Sequence, residues 1–153
     1  MTAHATLQFE PATLADLPAL CALLAQLFAQ EHEFSPDHAA QQQGLSHILQ
    51  HPNIGHILVA RQQGQVIAMV SLLFTISTAL GGRVALLEDM VVDQTCRGLG
   101  IGSQLLTFAI AHARQQAIQR LTLLTDQDNQ AGQHFYRKHG FQPSGMQVWR
   151  LIL

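Results

Sequence analysis

The sequence predicts an α/β protein of the α+β kind, a mixed and mostly antiparallel sheet flanked by helices on both faces. The expected order is β-α-α-β-β-β-α-β-α-β. Three observations carry this. Helix signals recur in four separate stretches, and three strand-like runs joined by short turns sit mid-chain. Downstream, a helix leads directly into another short strand, which calls for a crossover and a parallel pairing.

In chain order, Thr6 to Glu10 alternates and reads as a first strand. Thr13 with Asp16 three residues later marks a helix start. Leu17, Leu20, Cys21, Leu24, Leu27 and Phe28 then recur at helical spacing to about Ala29. Ser35-Pro36 sets a capping hydroxyl before a first-turn proline, and Pro52 stops the second helix. His56 to Arg61, Val66 to about Thr78 and Arg83 to Val92 form an antiparallel meander, its turns at Gln63-Gly64 and Gly81-Gly82. A helix from Ser103 to about Gln116 precedes the strand Leu121 to Thr125. Ala131 to His139 is a short helix ended by Gly140, and Gln147 to Leu153 alternates as a last strand.

The chain has 153 residues, 48% apolar and 12% charged, and fits a single domain, 1–153, with its own core. A net charge of −2 and a single lysine, Lys138, supply no basic stripe, so no nucleic-acid partner is expected. Cys21 and Cys96 give neither a disulfide framework nor metal-ligand spacing, which suits a reducing, cytoplasmic setting. No signal peptide is visible, and the apolar tract Val66 to Leu80 is too short and too polar to span a membrane. Nine histidines without a ligand pattern read as surface or loop residues, and no metal site is expected.

Glu88 to Ser103 is the informative stretch, a strand running through a glycine-rich turn into an amphipathic helix. Gly98, Gly100 and Gly102 allow unusual backbone angles and close approach of a ligand. Amides at a helix start, with the positive end of its dipole, make an anion seat suited to a pyrophosphate. A dinucleotide fingerprint would want Gly or Ala where Ser103 stands, and a P-loop would end in Gly-Lys-Ser/Thr; neither fits. A glycine turn used only for tight packing remains the plain alternative.

The run Arg97-Gly98-Leu99-Gly100-Ile101-Gly102 resembles the (Gln/Arg)-x-x-Gly-x-(Gly/Ala) motif of the GNAT superfamily of N-acetyltransferases. Asn129 to Phe141 resembles that family's second signature, with Gly132 where a small residue is expected. The two motifs stand in the family's order, and with the N-terminal strand and helices the likeness spans nearly the whole chain.

The resemblance implies acetyl-CoA as co-substrate and transfer of its acetyl group to the primary amine of a small molecule. It implies that Arg97, Gly98, Leu99, Gly100, Ile101, Gly102 and Ser103 hold the pyrophosphate and that the backbone of Met90, Val91 and Val92 pairs with the pantetheine arm. Asn129 would contact that arm, and Tyr136, the sole tyrosine, would be the general acid on the departing sulfur. Leu87-Glu88-Asp89 before the turn is similar to the diamine and polyamine acetyltransferases, where the Glu is the base. Glu88 and Asp89 are adjacent, so a regular strand would send them to opposite faces and leave one for the acceptor. Salt-bridging to Arg83 or Arg61 is the competing role for Glu88. The amide of Met90 would meet the oxyanion. A covalent route through Cys96 is conceivable, although the family transfers directly. Glu31, Glu33 and Asp37 would form an acidic mouth for a cationic amine, polyamine or amino acid. A protein or peptide amine, or a silent CoA-binding regulatory module, are the alternatives. A homodimer is permitted by the Val/Leu-rich strands.

Overall fold

In the computed structural model, residues 5–30 and 37–153 are described. Glu31, Glu33 and the Ser35-Pro36 start signal lie outside those residues.

Five strands form one sheet in sequence order: β1 (Leu7–Pro11), β2 (Gly55–Gln62), β3 (Gln65–Ser77), β4 (Gly82–Val92) and β5 (Leu121–Leu123). The first four pair antiparallel, and β4 pairs parallel with β5 across the crossover made by helix α3 (Ile101–Gln115). Helices α1 (Leu17–Phe28) and α2 (His38–Gln50) cover one face. Helix α3 covers the other, with α4 (Gln130–Lys138) beside it. Ile57, Val59 and Met69 pack with Leu20, Leu24 and Leu45, whereas Leu58, Ala60, Val70 and Leu72 pack with Leu105, Leu106 and Ala109. Alternate residues of the central strands thus feed opposite cores, as a period-two pleat requires. No helix among the described residues is long and apolar enough to cross a membrane.

Local chemistry explains most element ends. Asp16 accepts a hydrogen bond from the Thr13 amide at 2.9 Å, closing the turn before α1. Its carboxylate also takes both ends of the Arg61 guanidinium at 2.9 and 3.0 Å, which holds the Asp16 acid below its usual range. Helix α2 starts at His38 and is capped by Asp37, whose carboxylate accepts from the Ala40 amide, so that acid already has a structural role. Gly140 takes φ 96° just past α4, as a C-terminal cap demands.

Two expectations need correction. His56 and His112 are not surface histidines: they are partly buried and share a hydrogen bond of 2.8 Å that ties β2 to α3, and burial lowers both imidazoles below the usual range. Residues 147–153 form no strand. They are exposed, and among the described residues no strand pairs with them.

The feature that shapes the site is a bulge in β4. Met69 faces Val91 and Ser71 faces Glu88, so Asp89 and Met90 together stand opposite Val70 alone. Asp89 takes φ 52°, a left-handed conformation. The packing registers the extra residue independently. Leu87 and Val91 are four apart and would share a face in a regular strand, yet Leu87 packs under α3 and Val91 under α1 and α2. Asp is among the few side chains that tolerate this conformation, at some cost. A β-branched side chain does not. Asp89→Val should therefore lower unfolding free energy by about 1–2 kcal/mol, and Asp89→Gly by clearly less, as read from urea denaturation midpoints; equal losses would show that the backbone angle carries no strain.

Candidate active site

Parallel pairing between β4 and β5 is short: Ala85 with Leu121, Leu86 with Thr122, Leu87 with Leu123. Beyond Leu87, β4 continues to Val92 while β5 ends, and the two chains part. Between them lies a cavity of about 920 Å3, within the range of small-molecule sites. Leu87, Glu88, Asp89 and Met90 form one wall, and Leu123, Leu124, Thr125 and Asn129 the other. Leu27, Phe28 and Gln30, at and after the end of α1, close one side, and Tyr136 reaches in from α4. Val148 and Arg150, from the C-terminal segment, complete it.

The bulge corrects the expectation that only one of two adjacent acids can face this space. Because Asp89 is the extra residue, strict alternation is suspended there, and Glu88 and Asp89 both line the cavity. The competing role for Glu88 has lost one of its suggested partners. Arg61 is held by Asp16 and by Glu10 at 2.7 Å, and Arg83 lies over the Phe74 ring at 4.8 Å.

At the far end of β4 the chain makes a short turn whose first residue, Asp93, accepts from the Thr95 amide and hydroxyl at 2.9 and 2.6 Å and from Gln26 of α1 at 3.0 Å. These hydrogen bonds, the Thr95 hydroxyl's foremost, lower the Asp93 acid. Gly98 and Gly100 follow with φ of 79° and 78°, which is why glycine stands at both. Gly102 differs: it has no positive φ, and a Cβ there would make only ordinary contacts, with Val92 Cγ2 at 3.4 Å and Met90 Cε at 3.6 Å. The first intrahelical bond of α3 runs from the Gln104 amide to the Gly100 carbonyl. The amides of Ile101, Gly102 and Ser103 therefore precede the ladder and face outward from the helix start.

Not every residue of this stretch points the same way. Ile101 is buried beneath α3, and Leu99 is 71% exposed. Ser103 Oγ lies 2.9 Å from His139 Nε2. Arg97 donates from Nε to the Val92 carbonyl at 3.1 Å, and its two terminal nitrogens reach the Gln30 side-chain oxygen at 3.0 and 3.1 Å. The guanidinium thus braces the turn against the end of α1. Val91 and Val92 give their side chains to the two cores, so only their backbone is left for a ligand; Met90 lines the cavity. Cys96 packs toward the α3 core and is not part of the cavity wall.

Asn129 lines the cavity with its side chain already committed. Its oxygen accepts from the Gly132 amide at 3.0 Å, capping α4, and its nitrogen donates to Thr125 Oγ1 at 3.3 Å. This explains the glycine at 132: a Cβ there would collide with the Asn129 amide. Helix α4, fixed in this way, carries Tyr136 with its ring edge-on to Phe135 and Phe141, at 5.2 and 5.7 Å. Burial pushes the Tyr136 hydroxyl up to about 12, so it keeps its proton through the neutral range.

Of the residues singled out from sequence, the structure brings Glu88, Asp89, Met90, Asn129 and Tyr136 to one cavity. Residues 97–103 lie outside that cavity, adjoining it where Met90 abuts Gly102. Phe28, Gln30, Asp126, Asp128 and Arg150 were missed. For the first two the signal was available, since the end of an amphipathic helix must overhang something. For the loop acids and Arg150 it was not, because no pattern marks which way an irregular segment folds.

Known proteins bear the same marks. Residues 17–141 match the acetyltransferase (GNAT) family. An aminoalkylphosphonate N-acetyltransferase of Salmonella typhimurium is 30% identical over 133 residues, covering 87% of this chain and 83% of the relative. An uncharacterised N-acetyltransferase of Bacillus subtilis is 32% identical over 124 residues, covering 79% and 83%. A predicted acetyltransferase of Clostridium acetobutylicum, solved with acetyl-CoA, superposes with a TM-score of 0.79 at 22% identity over 95% of this chain and 96% of that one, a likeness of fold. With the glycine turn, the parted strands and the tyrosine-bearing helix in place, the chain belongs to the acetyltransferase (GNAT) family and is an acetyl-CoA-dependent N-acetyltransferase.

Proposed function

We propose that this protein, as one domain spanning 1–153, acetylates the primary amine of a small molecule by direct transfer, with Glu88 as base and Tyr136 as acid. The observation that carries the reading is the cavity where β4 parts from β5, with two acids on one wall and the tyrosine entering from α4. Acetyl-CoA, when bound, supplies an activated acyl carbon and a thiol leaving group. The outward amides of 101–103 and the glycine backbone of 98–100 suit its diphosphate. The edge of β4 freed beyond Leu87, at Met90 to Val92, suits its amide-bearing arm. Arg97 uses three of its five N–H donors on Val92 and Gln30, so it can brace the turn and still offer a cation to the phosphates.

An amine enters as an ammonium and must lose a proton to become a nucleophile. Glu88 takes that proton, directly or through a water; Asp89 already has a partner and acts as a second acid that favours the cationic group. The Met90 amide, beside the bulge, is the strand donor best placed to meet negative charge on the carbonyl oxygen. Tyr136 donates from its hydroxyl toward the departing sulfur. With that hydroxyl near 12 and a free thiol near roughly 8.5, the hydrogen bond to the thiolate outweighs completed proton transfer.

The acceptor is a small molecule rather than a long peptide, a reading supported by a relative, 30% identical over 87% of this chain, that is an aminoalkylphosphonate N-acetyltransferase. Such a compound carries an amine and an anion together. Glu88 and Asp89 suit the amine, and Arg150 on the same cavity suits the anion. This narrows the cationic amines, polyamines and amino acids suggested by composition toward amines that also bear an acidic group. Two free cysteines fit action in the cytoplasm.

Tyr136→Phe should lower kcat by about tenfold to 10²-fold with little change in acetyl-CoA affinity, measured by thiol release and calorimetry; unaltered turnover removes the tyrosine from the mechanism. Glu88→Gln should lower kcat/KM by about 10²-fold and abolish the acidic limb of its pH profile. A limb that persists at full rate returns the base role to Asp89 or to solvent. Run over aminoalkylphosphonates, amino acids, diamines and a peptide, the same thiol assay tests the acceptor class, and preference for the peptide would overturn it.

A further inference from the structure

Buried polar groups in native proteins almost always have hydrogen-bond partners, so each exception calls for an explanation. Among the described residues two buried side-chain atoms have none, Gln41 Oε1 in α2 and Ser71 Oγ in β3. Ser71 is fully buried and interrupts an otherwise apolar run, Val66 to Phe74. Alternation fixes the face it looks toward. Val70 and Leu72 feed the α3 core, so Ser71 shares the opposite face with Met69, beneath α1 and α2. Its cross-strand partners are Ile57 of β2 and Glu88 of β4, and Glu88 is the last residue in register before the bulge.

Of the nearest neighbours on that face, Ile57, Met69 and Leu73 are apolar, and Glu88 alone has a side chain that accepts a hydrogen bond. Residues directly opposite in an antiparallel pair have Cβ atoms about 4.5–5.5 Å apart, a gap that a hydroxyl and a glutamate side chain together span. Glu88 lines the cavity. A base working there presents one carboxylate oxygen to the ammonium and leaves the other for the protein. We infer that Ser71 is a positioning residue for the transfer: its hydroxyl donates to the second oxygen of Glu88, directly or through one water, and so aims the first oxygen at the acceptor amine. The proton passes from the ammonium nitrogen to that first oxygen, and Ser71 keeps its own. The inference rests on the reading of Glu88 as the base. Charged and titratable groups sharing the cavity with Glu88 are Asp89 on its own strand, Asp126 and Asp128 after β5, Tyr136 of α4, and Arg150. The end of α1 adds no charge there, and β3 offers the serine hydroxyl.

The test is Ser71→Ala in the full chain, which removes only the hydroxyl. Its Tm should equal or exceed that of wild type, because no partner within the fold is lost. Its plateau kcat/KM should fall about tenfold, with acetyl-CoA KM unchanged. The acidic limb of the pH profile should move to higher pH, since a donor that favours the charged carboxylate is gone. In a Glu88→Gln chain the same substitution should bring no further loss. An unchanged kcat/KM, an acidic limb that stays in place, or a further loss in the Glu88→Gln chain overturns the inference, as does a lowered Tm, which would make the hydroxyl a structural group. Carbon-13 NMR of the Glu88 carboxyl, assigned by its absence in Glu88→Gln, reads the contact without turnover. Its titration midpoint should rise by about half a unit or more in Ser71→Ala. If that rise is seen while Glu88→Gln keeps its acidic limb and full rate, the base reading fails and the contact stands; a midpoint that does not move removes the contact itself.

Discussion

One extra residue in β4 governs the geometry of this molecule. Asp89 interrupts the pleat between the region where β4 pairs with β5 and the region where it does not. Before it, β4 is an ordinary interior strand with Leu87 in the α3 core; after it, Val91 has changed sides and the strand leads to the glycine turn. A strand that kept its alternation would carry an unbroken row of apolar side chains under α3, and its two acids could not turn to the same space. The bulge is backbone strain held in place by packing on both sides of it, as such outliers at binding sites generally are.

From that constraint the remaining parts take their places. The strands separate because β5 stops after three residues, and the loop beyond it folds back through Asn129 to start α4. The carboxamide that caps α4 also grips Thr125, so the cavity wall and the tyrosine helix form one piece. On the opposite side, Gln26 and Gln30 fasten the glycine turn to α1 through Asp93 and Arg97. The site is therefore assembled from three elements distant in sequence, joined by a few polar contacts rather than by one continuous motif.

How much of this was legible beforehand follows from what each element depends on. The meander, the α3 helix and the glycine turn were readable because apolar spacing and glycine placement are local signals; the sheet adopts the expected order through its fifth strand. The bulge was not, since nothing next to Asp89 distinguishes an aspartate in a left-handed conformation from one in a regular strand. Gln147 to Leu153 shows the opposite failure. Its alternation is genuine, but a pattern names a propensity and not a partner, and among the described residues no strand pairs with it. Asn129 was found as a site residue, while its capping bond became visible only with Gly132 beneath it.

The bracing of Arg97 against Gln30 has a consequence for altering this enzyme. The end of α1 bounds the cavity through Leu27 and Phe28, and the neighbouring Gln26 and Gln30 anchor the glycine turn. The cavity and the glycine turn are thus mechanically geared to each other, so exchanging side chains at the end of that helix to reshape one would also shift the other.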